Sequence, residues 1–444
     1  MAETSSSGNI SPRLQRVAEL ARERPQQALT TLAHHIDEDF LREAYRRTRK
    51  DGASGIDGQT AEAYEANLGA NLKALLAQFK SGRYRAPAVR RVHIPKGDGT
   101  KTRAIGIPTF ADKVLQRAVA MVLEAIYEPR FHEGSYGFRP GRSAHQALET
   151  LWRKLMEMGG GIVVDVDIQA FFDTLDHGVL RKFLDQRVRD GVLRRTIDKW
   201  LNAGVLEKGA LSYPESGTPQ GGVISPLLAN VYLDEVLDQW FEAEVKPRLE
   251  GEAFLVRYAD DFVLVFASAR DAQRVMAVLG KRFTKHGLTV HPQKTRVLDF
   301  RRPQRQQHAG KGGESFQFLG FTHHWGRSRK GRWVVQRKTA PQRMSRALKA
   351  VAQWCEESRH WALVEQHQGL SRKLRGHFAY YGITGNVRAL TRFHHQVVWI
   401  WFKWLNRRGG RRRWTRERFE RVVRLVPLPE PIVVHSVLRH AARP

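Results

Sequence analysis

The chain has 444 residues, long for one domain and comfortable for two or three, with a hydrophobic fraction of 41% that is ordinary for a folded protein. Lys and Arg number 74 against 45 Asp and Glu, and this formal charge of +29 is spread along the chain rather than gathered in one tail, so a large polyanion is the natural partner. The single cysteine, Cys355, excludes an intramolecular disulfide and a zinc site built on several Cys ligands, and no apolar run reaches the length of a membrane span.

Residues 1 to about 10 are rich in Ser and Gly and lack the apolar content to fold. Helices are expected over 12–24, ended before Pro25, and over 37–50, with Asp37 as cap and Asp51-Gly52 as stop. Residues 60–80 read as a helix with Leu68, Leu72, Leu75, Leu76 and Phe79 on one stripe. Strands are expected over 89–94 and 103–107, around the Gly-rich turn that follows Lys96, and then a helix over 111–127. Residues 301–314, rich in Gln, Arg and Gly, read as an exposed loop, and 316–322 as a strand. Helical, basic segments follow over 342–357, 361–381, 387–408 and 414–426.

Three segments carry the chemistry. Tyr258-Ala259-Asp260-Asp261 lies between the apolar runs 254–256 and 262–266, the pattern of a β-hairpin with an acidic tip. Adjacent carboxylates in apolar surroundings repel each other and resist desolvation, so a cation usually accompanies them. Hard oxygen ligands on a rigid strand end suit Mg²⁺. The plain alternative is a solvated Asp-Asp turn. Upstream, Ile162-Val163-Val164-Asp165-Val166-Asp167-Ile168 reads as a strand with Val163, Asp165 and Asp167 on one face and Val164, Val166 and Ile168 in the core. Two such acidic strands make a two-metal constellation of the kind that serves in-line phosphoryl displacement. Edge carboxylates that prevent aggregation explain one Asp, but not the convergence of several. Third, Gly217-Thr218-Pro219-Gln220-Gly221-Gly222 precedes Ser225-Pro226, which opens an apolar helix to about Trp240.

These blocks, in this order, resemble a reverse transcriptase. More narrowly, the chain resembles the reverse transcriptase/maturase proteins encoded by bacterial group II introns. Further blocks carry the likeness: Gly55-Ile56-Asp57-Gly58, Ile94-Pro95-Lys96 with Arg103, Gly106, Ile107 and Pro108, the run from Ser135-Tyr136-Gly137-Phe138-Arg139-Pro140 to Ser143, Phe318-Leu319-Gly320-Phe321, Leu374-Arg375-Gly376 and Tyr380-Tyr381-Gly382. It spans residues from about 40 to about 435. Many of these proteins end in an HNH-type endonuclease with paired cysteines. The chain stops at Pro444 without them, so the form lacking that domain is expected.

The resemblance implies an α+β right-hand polymerase, with fingers and a palm built on a small antiparallel sheet, followed by an all-helical thumb or maturase domain X. The matching boundaries are 1–80 for an N-terminal helical extension, 81–335 for fingers and palm and 336–444 for the thumb. It implies RNA-directed DNA synthesis with two Mg²⁺ ions, dNTPs, an RNA template and a DNA primer or target. It also implies binding of intron RNA to assist splicing and mobility, in the bacterial cytosol beside the nucleoid. By matching position Asp167, Asp260 and Asp261 are the catalytic metal ligands, with Asp165 one step removed or structural. Phe172, five residues past Asp167, would stand beneath the sugar and reject ribonucleotides, or else simply pack in the core.

Lys96 and Arg103 would close over the triphosphate, although a basic pair on a hairpin is ordinarily just solvated. Gln220 would touch the incoming nucleotide. Phe318, Leu319 and Gly320 resemble the primer grip, a role compatible with burial. Arg139, Arg142, Arg411, Arg412 and Arg413 are candidate RNA contacts, against the reading of such a run as a solvated face. Two rivals stay open: an RNA-binding splicing cofactor without polymerase activity, and an enzyme of this type recruited to defence or repair. Intact Asp167, Asp260 and Asp261 speak against the first.

Overall fold

The computed structural model describes residues 12–96, 101–207, 209–213, 217, 221–303, 314–408 and 414–436. The chain forms two compact units, one of residues 1–147 and 162–297, the other of 148–161 and 298–444.

The first unit begins with helices Pro12–Glu23 and Glu38–Arg47, the latter capped by Asp37, which accepts from Phe40 N at 2.9 Å. It ends sooner than the sequence suggests because Thr48 turns extended and bonds its hydroxyl to Ala44 O. The segment 60–80 is two helices, Ala61–Glu65 and Leu68–Lys80, and Leu72, Leu75 and Phe79 of the expected stripe are buried. Helix Phe110–Tyr127 is apolar on nearly every side and lies in the middle of this core.

Strands β1 (Val89–Lys96) and β2 (Lys101–Ile107) form the expected hairpin, in register from Arg90↔Ile107 to Lys96↔Lys101. After β3 (Ile162–Val166), two short strands that the sequence pattern does not announce, β4 (Val205–Glu207) and β5 (Ala210–Ser212), extend the hairpin to the order β2-β1-β4-β5. The acidic hairpin is β6 (Ala253–Tyr258) and β7 (Asp261–Phe266). With β3 and β8 (Arg296–Asp299), where the chain leaves this unit, the order is β6-β7-β3-β8. Val163 and Val164 are both fully buried, so β3 is covered on both faces rather than one. Helix Ala269–Lys285 packs on β3 and β7 through Val275, Leu279 and Phe283. The helix opened by Ser225-Pro226 continues past Leu233 through π turns at Asp234–Asp238 and Phe241–Val245.

In the second unit the segment 316–322 is not one strand. Leu319 (φ 49°) and Gly320 (φ 81°) form a two-residue turn between β9 (Phe316–Phe318) and β10 (Phe321–Arg327). Positive φ at both tip residues is the I′ pattern that matches strand twist. With β11 (Trp333–Thr339) the order is β11-β10-β9. The sheet is braced by Trp152 Nε1, which donates to Val335 O at 2.8 Å. The four basic helices are present as Pro341–Glu357, Leu363–Tyr381, Val387–Leu405 and Arg416–Leu425. Their core includes Leu374, Phe378, Phe393, Trp401 and Cys355, whose thiol is pushed up to about 12 by burial. Among the described residues no helix is long and apolar enough to cross a membrane.

Candidate active site

The acidic residues occupy neighbouring strand ends of one sheet. β3 and β7 are antiparallel with Asp165↔Val263 and Val166↔Phe262 paired, so one further step sets Asp167 opposite Asp261. Across the other ladder Tyr258↔Asp261 closes β6 on β7, leaving Ala259 and Asp260 as a two-residue tip. Ala259 takes φ 57°, the positive first position of a II′-type turn that ordinarily calls for glycine. A non-glycine residue held there stores about 1–3 kcal/mol of strain. Asp260 is half-buried and Asp261 exposed.

Two cations face β3. Lys294 Nζ lies 2.6 Å from Asp167 Oδ2, and Arg296 Nη2 lies 3.4 Å from Asp165 Oδ2. The segment is fastened alongside by His291 N donating to Asp167 O at 2.8 Å and Gln169 N donating to Thr289 O at 2.8 Å. Burial pushes the Asp165 carboxyl up to about 6, with Arg296 pulling it down and Asp167 adding to the rise. Asp165 is thus tied to an arginine one pleat away from Asp167. Among the described residues no three His, Cys, Asp or Glu side chains converge closely enough to hold an ion as they stand. The donor set still has the chemistry of a hard-cation site: carboxylate oxygens on rigid strand ends, one of them compensated by an ammonium.

The nucleotide-binding candidates lie around this edge. Phe171 is buried, while Phe172 is half-buried and meets it edge-on with ring centroids 5.2 Å apart. A Cβ on Gly217 (φ 87°) would stand 2.8 Å from Phe172 O, and one on Gly221 (φ 115°) would stand 2.6 Å from Ile105 Cγ2 of β2. Only glycine allows both approaches. Gly217 is therefore seated beside Phe172 and Gly221 against β2. Gln220 itself lies outside the described residues. Arg103 is exposed on β2 opposite Ile94, and Lys96 pairs with Lys101 at the end of the ladder.

Beyond Gly221 the chain is held by a buried network that the sequence reading missed. Val223 N donates to Gln116 Oε1 at 2.8 Å, and Gln116 Nε2 donates to Asp112 Oδ2 at 3.1 Å. Asp112 also accepts from Trp200 Nε1 at 2.7 Å and from the Tyr84 hydroxyl. An Asp and a Gln one turn apart among the apolar, buried positions of this helix were the available signal.

Elsewhere the expected roles divide. The guanidinium of Arg139 is buried and donates to Glu128, His132 O and Ser135 O. Arg142 is half-exposed, stacked 5.3 Å from the Tyr136 ring and bonded to Glu133 O. Arg411, Arg412 and Arg413 lie outside the described residues. In the second unit Phe318 is buried, and Leu319 and Gly320 form the β9–β10 turn. Tyr380 donates its hydroxyl to Leu319 O at 2.9 Å, and Phe321 packs on both Tyr380 and Tyr381.

A family model described as reverse transcriptase (RNA-dependent DNA polymerase) matches residues 94–323, more than half of the chain. The chain belongs to the reverse transcriptases. The match takes in the end of β1, all of β2, both acidic strands and the turn at Leu319. As a member of this family the protein is an RNA-directed DNA polymerase, and its substrates are nucleic acids. It is similar to protein YkfC of Escherichia coli (strain K12), 34% identical over 258 residues that cover 51% of this chain and 68% of YkfC. It is also similar to the group II intron-encoded protein LtrA of Lactococcus lactis subsp. cremoris, 39% identical over 245 residues that cover 54% of this chain but only 40% of LtrA. A shorter match joins it to nuclear intron maturase 2, mitochondrial, of Arabidopsis thaliana, 29% identical over 175 residues that cover 31% of this chain and 24% of the maturase.

Proposed function

We propose that Asp167, Asp260 and Asp261 form the catalytic centre of this reverse transcriptase. The observation that carries the reading is the strand register, which brings Asp167 opposite Asp261 beside the Ala259-Asp260 tip. Two Mg²⁺ ions bound there would polarise the primer 3′-hydroxyl and take up charge on the triphosphate and the departing pyrophosphate. Asp167 would turn from Lys294 to face the hairpin. Phe172, beside Gly217, would lie beneath the sugar and exclude a 2′-hydroxyl. Arg103 and Lys96 would hold the triphosphate, and Gln220, in the chain between Gly217 and Gly221, would meet the nucleotide. The Leu319-Gly320 turn would hold the primer end.

The biological substrate in this reading is the RNA of a group II intron, with an RNA template, a DNA primer or target and dNTPs, in the bacterial cytosol beside the nucleoid. The charge of +29 supports it, as do relatives named for introns and maturation, which favour it over recruitment to defence or repair. The test is to transcribe the RNA flanking the gene and follow its splicing at low Mg²⁺ with and without the chain. Splicing that depends on the chain is expected. Splicing that ignores it, with reverse transcription intact, would favour the recruited enzyme.

A further inference from the structure

Arg257 immediately precedes Tyr258-Ala259-Asp260-Asp261 and is completely buried, in a strand otherwise apolar from Ala253 to Val256. Its Nε donates to Asp238 Oδ1 at 2.9 Å and Oδ2 at 3.1 Å, and a terminal nitrogen meets the same carboxylate. Its Nη1 donates to Asn230 Oδ1 at 2.9 Å and to Ala259 O at 3.2 Å. Asn230 in turn donates to Gly137 O at 2.7 Å, and a Cβ on Gly137 would stand 2.3 Å from Ala259 N. The strained residue at the hairpin tip is thus closely approached by the Gly137 backbone on its nitrogen side and bonded by a guanidinium at its carbonyl.

A buried ion pair is weak grounds for stability, because apolar side chains of similar volume do as well. A strained turn, by contrast, persists only where its surroundings over-determine it. We propose that the Arg257–Asp238 pair positions the catalytic hairpin: Asp238 fixes the fork, and the fork fixes the Ala259 carbonyl, so that the carboxylates of Asp260 and Asp261 are presented at one place. Arg257 touches no substrate and is a positioning residue. The inference rests on the reading of Asp260 and Asp261 as metal ligands.

The test compares wild type with the double variant Arg257→Met/Asp238→Leu, which removes both charges together, and with Arg257→Lys, which keeps the charge but not the fork. Melting temperature, primer–template affinity, kcat and KM for dNTP are measured. Mn²⁺ binding to the free protein, followed by electron paramagnetic resonance, gives a readout independent of turnover. The double variant should melt near wild type and bind primer–template within about twofold, while kcat falls about 100-fold, the effect of a misplacement near 1 Å. Mn²⁺ binding should weaken about fivefold or more, and Arg257→Lys should lose kcat in the same direction. Wild-type kcat and Mn²⁺ affinity in the folded variants would overturn the proposal, leaving the pair a packing element. Failure of the underlying reading looks different: Asp260→Asn would then retain synthesis and Mn²⁺ binding whatever Arg257 does.

Discussion

Lys294 places its ammonium 2.6 Å from the Asp167 carboxylate, and two residues on Arg296 meets Asp165 two residues back along β3. The spacing of the two cations matches that of the two carboxylates, so the segment entering β8 neutralises the acidic face tooth by tooth. Lys294 is largely exposed, so the attraction is worth on the order of 1 kcal/mol or less. A divalent ion competes with it easily.

Lys294→Met is therefore expected to tighten Mn²⁺ binding to the free protein by up to about fivefold, since the ion no longer displaces an ammonium. Titration by electron paramagnetic resonance measures it. Unchanged or weaker binding would mean that the ammonium does not compete with metal at Asp167.

Phe172→Ala is expected to raise ribonucleotide incorporation relative to deoxyribonucleotide by about tenfold or more, as removal of a steric contact at a sugar does. The ring is half-buried against Phe171, so the melting temperature should fall only modestly. An unchanged ratio of kcat/KM for rNTP and dNTP in an active variant would reduce Phe172 to packing.

Asp112 gives a pH dependence with a defined sign. Burial raises its carboxyl to about 6 from an ordinary 3.8, although hydrogen bonds from Tyr84, Trp200 and Gln116 pull the other way. The folded state holds this proton more tightly than the unfolded state. Its contribution to stability is therefore greatest at acid pH and declines as pH rises from about 4 through about 6. Asp112→Asn removes that titration, so the stability advantage of wild type over the variant should shrink across this window and then level off. The variant also sets an amide NH₂ against Gln116 Nε2. If Gln116 flips to relieve this, Val223 N loses its acceptor and KM for dNTP should rise. Urea denaturation across pH checks the first point and steady-state kinetics the second. A constant difference in stability would contradict the assignment.

RNA affinity should fall linearly with the logarithm of salt, because each phosphate neutralised releases counterions. Replacing Arg411, Arg412 and Arg413 together with Gln should weaken RNA binding and flatten the slope by about 2–3, while primer extension at saturating primer–template survives. A folded variant with unchanged affinity and slope would move the RNA surface elsewhere on the chain.

Local chemistry announced most of the helices: Asp37 caps where a cap was readable, and the stripe from Leu68 to Phe79 faces a core. The acidic hairpin was equally plain, because apolar runs flank a short polar tip. The short strands β4 and β5 were not legible, since three residues carry no period and only the pairing of β4 to β1 and of β5 to β4 defines them. The turn at Leu319 was hidden because leucine seldom takes positive φ, and Tyr380, sixty-one residues away, holds it there. The burial of Arg139 was not legible, because it depends on the chain folding back so that Glu128, His132 O and Ser135 O meet its guanidinium. Arg257 did have a signal, a charge interrupting a buried strand, but its meaning depended on Asp238, in the helical segment that precedes that strand.

The central claim is that Asp260 serves catalysis rather than folding or RNA binding. Single-turnover extension of a DNA primer on an RNA template, measured beside RNA affinity for wild type and Asp260→Asn, tests it most directly. Wild type should extend the primer with dNTPs and Mg²⁺. Asp260→Asn should lose synthesis by about a thousandfold or more while binding RNA within about twofold, because the change touches a metal ligand and not the basic surface. Retained synthesis, or equal loss of synthesis and RNA binding, would contradict the account.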